Sequence, residues 1–382
     1  MKKCSRGFWG LLFLTFFYLY GKEAAVGIAE KGREQLLYQA QKTCVPKLVY
    51  QKEEETFDGR DWILEQAEKL LPLVSYLEDT NRKETSEDEE TIAKILEAEA
   101  NDENQIGESG ELIGKEQGVA SGGTENAPVD LSPEKLGDFE YLLSHFYTVD
   151  STTMIGPEQL NAAEMMGKNM KIGKGDGPKV LIFHTHSQET FADSVPGDAS
   201  TSIVGVGTYL TELLNQKGIP TIHDTGVYDI IDGKLDRSRA YEQAETAIRK
   251  VLQQNPSVEV VIDLHRDGVR EETRLVTEIG GKQTAKIMFF NGLSRTRANG
   301  NIAYLVNPYI QDNLAFSFQM QLMCETYYPG FARRIYLKGY RYSLHMMPKS
   351  LLIEAGAQTN TVQEMKNAME VLSETLYRVL VG

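Results

Sequence analysis

From residue 179 onward the chain alternates short, almost uninterrupted apolar runs with amphipathic stretches, and three of its four main apolar runs lead straight into histidines or carboxylates. The runs are Val180 to Phe183, Val258 to Leu264, Lys286 to Phe290 and Ser350 to Ile353. Between the first two, Val206, Leu210, Leu213 and Leu214 recur at helical spacing, and Gly218 and Pro220 close the pattern. A second helix is predicted from Ser238 to Gln254, with Tyr241, Ala244, Ile248, Val251 and Leu252 inward and Asn255-Pro256 as its stop. A third opens at Asn307-Pro308 and ends before Pro329-Gly330. Thr361 and Glu364 have the spacing of a capping box and start the last helix. Strands with no polar alternation are buried on both faces, so the predicted fold class is α/β, a largely parallel sheet with helices on both sides. In such sheets binding sites form beyond the carboxyl ends of the strands.

That rule gives the polar residues their meaning. The first run leads into His184-Thr-His186-Ser-Gln-Glu189, the second ends Asp263-Leu-His265-Arg266-Asp267, and the fourth ends Glu354-Ala-Gly356. Zinc in hydrolases takes three ligands from histidine and carboxylate side chains and keeps a fourth position for water. His186-x-x-Glu189 with His265 supplies such a set, in the order seen in zinc carboxypeptidases. His184 lies two residues earlier, and in an extended segment its ring points the same way as that of His186, so either is a candidate first ligand. Glu354, from a separate strand, is the candidate general base, and Asp263 or Asp267 is suited to hydrogen-bond the outer nitrogen of a ligand histidine. Arg266 either holds a substrate carboxylate or oxyanion or pairs with Asp263 or Asp267. His223 and His345 read as structural. A serine nucleophile has no Gly-x-Ser-x-Gly elbow to sit on, and Cys324 lies among apolar residues of a helix.

The N-terminal third reads differently. Lys2, Lys3 and Arg6 precede an uncharged run from Phe8 to Tyr20, the pattern of an exported chain held at the membrane, with Ala24 and Ala25 offering a cleavage alternative. Residues 1–22 are therefore expected to be a cytoplasmic tip and anchor, 23–75 a helical stalk, 76–130 a disordered acidic linker, and 131–382 the catalytic domain. The linker carries Glu87-Asp-Glu-Glu90 and glycine-serine stretches with little apolar surface to offset ordering entropy. Ser132-Pro133 begins a helix expected to run to residue 147. A formal net charge of −15 repels phosphate backbones, so nucleic acid is excluded as a partner. Two exported cysteines, Cys44 and Cys324, make no disulfide framework, and without a Cys-x-x-Cys pair a thiolate zinc site has no support.

The segments His184 to Thr190, Asp263 to Asp267 and Leu352 to Gly356, taken together, resemble the stage II sporulation protein P family. The resemblance covers roughly residues 135–382 and implies an anchored zinc N-acetylmuramoyl-L-alanine amidase. By that resemblance the substrate is peptidoglycan, cut during forespore engulfment, with activity on peptide cross-links also implied. It further implies partnership with stage II sporulation proteins D and M, and a catalytic domain in the space between mother-cell and forespore membranes. The alternatives are an exported zinc carboxypeptidase acting on peptides and a non-catalytic wall-binding scaffold.

Overall fold

A computed structural model describes residues 129–382, apart from positions 238 and 299. The expected anchor, stalk and all but the end of the acidic linker lie outside the described residues. Among the described residues no helix is long and apolar enough to cross a membrane.

The helix expected over 132–147 is two helices. α1 (Pro133–Leu136) ends at Gly137, and α2 (Phe139–Phe146) starts afresh at Asp138, whose side chain accepts from the backbone N–H groups of Glu140 and Tyr141. An aspartate placed to cap competes with helix continuation, which explains the break. Then follow β1 (Tyr147–Val149), α3 (Ala162–Gly167), β2 (Val180–Phe183), α4 (Ile203–Gln216) and β3 (Thr221–His223). A small arm, β4 (Ile230–Ile231) and β5 (Lys234–Leu235), leads into α5 (Ala240–Gln254) and β6 (Val260–Asp267). The remainder is β7 (Val276–Ile279), β8 (Lys282–Ala285), β9 (Ile287–Gly292), β10 (Arg295–Thr296), β11 (Gly300–Asn301), α6 (Ile310–Tyr327), β12 (Ala332–Lys338), β13 (Ser350–Ala357) and α7 (Val362–Leu380). The last helix starts on the expected capping box: Thr361 Oγ1 accepts from Glu364 N, and the Glu364 carboxylate accepts from Thr361 N.

The central sheet has seven strands in the order β1-β12-β9-β13-β6-β2-β3. Every neighbouring pair is parallel except β9 and β13. The largely parallel sheet is therefore present, with one reversal inside it. β13, β6, β2 and β3 run one way, and β9, β12 and β1 run the other. At the edge where β6 and β13 end, β9 and β12 begin, as the pairing of Ala355 with Ile287 records.

Alternate side chains on the strands go to opposite faces. Val180, Ile182, Val260, Ile262, Leu264, Leu351 and Ile353 pack with α4, α6 and α7 in the main core. Leu181, Phe183 and Val261 pack on the other face against Ala244 and Ile248 of α5. Full burial of each such side chain contributes about 1.5–3 kcal/mol. On β6, Asp263, His265 and Asp267 share the face of Val261, so the strand aims its polar residues at the α5 side.

Candidate metal centre

His186, Glu189 and His265 come together. One ligand atom of each lies within 4.8 Å of the others, and all three residues are buried. The rings of His186 and His265 stand 5.0 Å apart, nearly perpendicular. Glu189 is held by its second oxygen, which accepts from Arg266 N at 2.8 Å. In the register of β13 and β6, Glu354 lies directly beside His265. Both belong to the strands themselves, and β13 continues past Glu354 through an irregularity at Gly356. Gly356 has φ of +58°, and a Cβ there would sit 2.5 Å from Met365 Sδ, so only glycine fits.

His184 does not join this cluster. β2 ends at Phe183, so the extended geometry that would align the two rings stops before His186. His184 keeps to the α4 face. One ring nitrogen lies 2.6 Å from Leu264 O and the other 2.8 Å from His223 Nε2. A Cβ on Gly207 of α4 would come within 2.5 Å of that ring, so the close helix approach depends on glycine. Burial pushes His184 down to about 3 and His223 down to about 4, so both rings are neutral near pH 7. His186, in contrast, turns to the α5 face, 5.5 Å from the ring of Tyr241.

The two aspartates of β6 take separate tasks. Asp263 accepts from Thr185 N at 2.9 Å and Thr185 Oγ1 at 2.7 Å, and its Oδ1 lies 2.7 Å from His265 Nε2. Asp267 forms a fully buried ion pair with Arg333, which reaches it because β12 begins where β6 ends. Arg266 donates from Nη1 to Asp267 O at 3.0 Å and pairs with neither carboxylate.

The electrostatics are those of a cation site. Burial opposes charge on His265, yet the field and contact of Asp263, then Glu189 and Glu354, push it up to about 10. Burial also opposes charge on Asp263, but His265 and the Thr185 bonds hold it at about 2. Burial, then the charges of Asp267 and Glu189, push Glu354 up to about 8. Burial raises Glu189 as well, and burial takes His186 well below its usual range. A proton on His265 is thus held by surrounding carboxylates that a divalent ion would satisfy better. His186 Nε2 is buried with no hydrogen-bond partner, and His265 Nε2 lies against Asp263 Oδ1. Two imidazoles and a carboxylate, all buried and within reach of one another, fit Zn²⁺ by number and type.

Two neighbours of this centre carry no local sequence signal. Asp229 is buried and accepts from Ser187 Oγ at 2.7 Å and Gln188 N at 3.2 Å, fixing the loop between His186 and Glu189. Tyr241 walls the cluster from α5. Asp229 lies 40 residues from Glu189 and Tyr241 lies 55 from His186, and no spacing rule reaches that far.

Similar proteins share parts of this chain. Among solved structures, the CwlD amidase from Clostridioides difficile in complex with the GerS lipoprotein is 17% identical, with a TM-score of 0.32, over 53% of this chain and 99% of that one. The N-acetylmuramoyl-L-alanine amidase AmiC2 of Nostoc punctiforme is 14% identical, with a TM-score of 0.31, over 53% of this chain and 98% of that one. Scores of this size establish neither fold nor chemistry by themselves. Stage II sporulation protein P of Bacillus subtilis (strain 168) is 23% identical over 215 residues, covering 52% of this chain and 50% of that protein. The chain thus spans about half the length of the curated relative it matches. The sequence model of stage II sporulation protein P matches residues 46–377, a span that takes in every residue of the cluster, and the chain belongs to that family.

Proposed function

We propose that this chain is a zinc-dependent amidase that cleaves the bond between N-acetylmuramic acid and L-alanine in peptidoglycan, and that it also acts on peptide cross-links. The observation that supports this reading most is the position of Glu354, adjacent to His265 in register and beside a buried His186–Glu189–His265 donor set. Those three residues hold Zn²⁺. The chemistry that Zn²⁺ supplies when bound is Lewis acidity, toward the scissile carbonyl and toward water. Glu354 accepts a proton from the attacking water and returns it to the leaving amine. Asp263 holds the His265 ring in place, and Asp229 holds the His186–Glu189 loop. Arg266, tethered through Nη1, offers its remaining donors to the oxyanion or to a stem-peptide carboxylate.

The same reading takes residues 1–22 as a membrane anchor, 23–75 as a stalk, 76–130 as a linker and 131–382 as the catalytic domain, on the extracytoplasmic side. Stage II sporulation proteins D and M are the proposed partners during engulfment. The deciding experiment is digestion of purified peptidoglycan by the full chain, with mass spectrometry of the products. Release of whole stem peptides with a free L-alanine amine is expected. Release of single terminal amino acids alone would replace the amidase with a carboxypeptidase.

A further inference from the structure

The loop between β12 and β13 is fastened from two sides. Gly292 of β9 lies so close to it that a Cβ there would sit 2.2 Å from Tyr340 O and 2.9 Å from the Tyr342 ring, so the approach depends on glycine. From α5, the Glu245 carboxylate accepts from Arg341 Nη2 at 2.9 Å and lies 2.8 Å from His345 Nε2. Between these anchors Tyr342 takes φ of +52°, a left-handed conformation uncommon for a bulky side chain. Such strain persists only where the surroundings over-determine it.

The strained turn sets tyrosine rings beside the cluster. Tyr342 is buried, 4.7 Å from the ring of Phe290 and nearly perpendicular to it. Tyr241 and Tyr340 meet the Tyr342 ring edge to face, at 5.5 and 6.4 Å. Tyr241 also stands 5.5 Å from the ring of His186. Both Tyr241 and Tyr340 are half-buried, while Tyr304 is 41% exposed. The Tyr304 hydroxyl donates at 3.1 Å to Glu242, the residue after Tyr241, and Tyr340 packs on Ile302 and Leu305, which flank Tyr304 in sequence. Three partly exposed rings therefore form a rigidly mounted shelf that begins against His186 and continues outward to Tyr304.

The chemistry of the shelf selects among the parts of a wall substrate. A pyranose ring has an apolar C–H face that stacks on an aromatic face, and a rim of hydroxyls that bond phenols and carboxylates. A stem peptide is instead an anion. Arg341 and Arg249 are both bonded to Glu245, and Glu242 is exposed, so the charge beside the rings repels peptide carboxylates and accepts from hydroxyls.

We propose that Tyr241, Tyr340 and Tyr304 form a binding site for the N-acetylated amino sugars of a glycan strand, with Tyr241 stacking on the sugar that carries the scissile amide. The identity of that sugar rests on the amidase reading. The site itself does not rest on turnover, because binding of a glycan fragment can be measured alone.

The test uses the full chain as purified and, as probe, the β-1,4-linked tetramer of N-acetylglucosamine. This probe has the sugar backbone of wall glycan and carries no peptide. Calorimetric titration should show binding by the wild type. Tyr241→Leu keeps apolar volume but removes the ring, and should bind about tenfold more weakly while still melting cooperatively. Tyr241→Phe keeps the ring and should stay within about threefold of the wild type. Tyr327→Leu, at an equally exposed ring on the end of α6, should match the wild type. If Tyr241→Leu does not fold, Tyr304→Leu, on the outermost ring, takes its place with the same expected direction. No binding by the wild type, or binding equal to wild type in the leucine variant that carries the test, overturns the proposal. If the tetramer binds through these rings yet the wild type releases nothing from the wall, the sugar site stands and the amidase reading falls. If the wild type releases stem peptides while the leucine variant binds the tetramer unchanged, the amidase reading stands and the shelf is removed from it.

Discussion

Arg333→Met should be among the most destabilising single changes on the sheet. The Arg333–Asp267 pair is sealed from solvent, with side-chain exposures of 1% and 0%. Burial, then the charge of Asp267, raises the Glu354 carboxyl and the charge of Arg333 lowers it, so the guanidinium offsets more than one buried acid. Removing it leaves a buried carboxylate uncompensated, which costs about 3–5 kcal/mol. With a urea m-value of about 2–3 kcal/mol per molar for a domain of this size, the midpoint should fall by about 1–2.5 M. Methionine keeps most of the aliphatic volume, so little of that loss is cavity formation. The double change Arg333→Met with Asp267→Asn removes both charges and should recover about 2 kcal/mol relative to the sum of the two single changes. All four proteins are unfolded in excess chelator, so that metal affinity does not enter the comparison. A cost below about 1 kcal/mol for Arg333→Met, or strict additivity in the double variant, would refute the claim that this pair compensates buried charge.

The other expectations concern the centre and its surroundings. The full chain should hold about one Zn²⁺, read by elemental analysis, and chelation should abolish hydrolysis and lower the melting temperature. Glu354→Gln should keep that zinc while turnover falls by about 10²–10⁴; loss of zinc would instead make Glu354 a ligand. Thr361→Ala removes the side-chain half of the α7 capping box and should cost about 1 kcal/mol in urea unfolding, with metal content unchanged. Burial opposes charge on Glu245, but His345, Arg249 and Arg341 hold it at about 2, below the ordinary 4.5 of a glutamate. A depressed carboxyl stabilises the fold above its unfolded pKa. The stability difference between wild type and Glu245→Gln should therefore be full above about pH 4.5 and fade as pH falls toward 2. A difference constant across that window would contradict the assignment.

What the sequence discloses and what it hides divide along one physical line. Apolar runs disclose strands because burial on both faces leaves no polar positions, and β2, β6, β9 and β13 all fall on such runs. The runs say nothing about direction, so the reversal between β9 and β13 is invisible until the strands pair. β12 goes unread for a related reason. Its residues Arg333 and Lys338 look like surface charges, yet both are buried, one against Asp267 and the other over the Tyr336 ring. The choice between His184 and His186 turns on where β2 ends, and strand ends are what pattern reading fixes least well. Had the strand continued two residues, both rings would face α4, and His186 could not reach His265 on the α5 face. The crossing after Phe183 therefore does more than end a strand: it assigns one histidine to a neutral packing pair with His223 and the other to the cluster. The Thr185 bonds to Asp263 fix that crossing, and the same carboxylate contacts His265, so one buried aspartate sets the path of the first ligand loop and the position of the last ligand together.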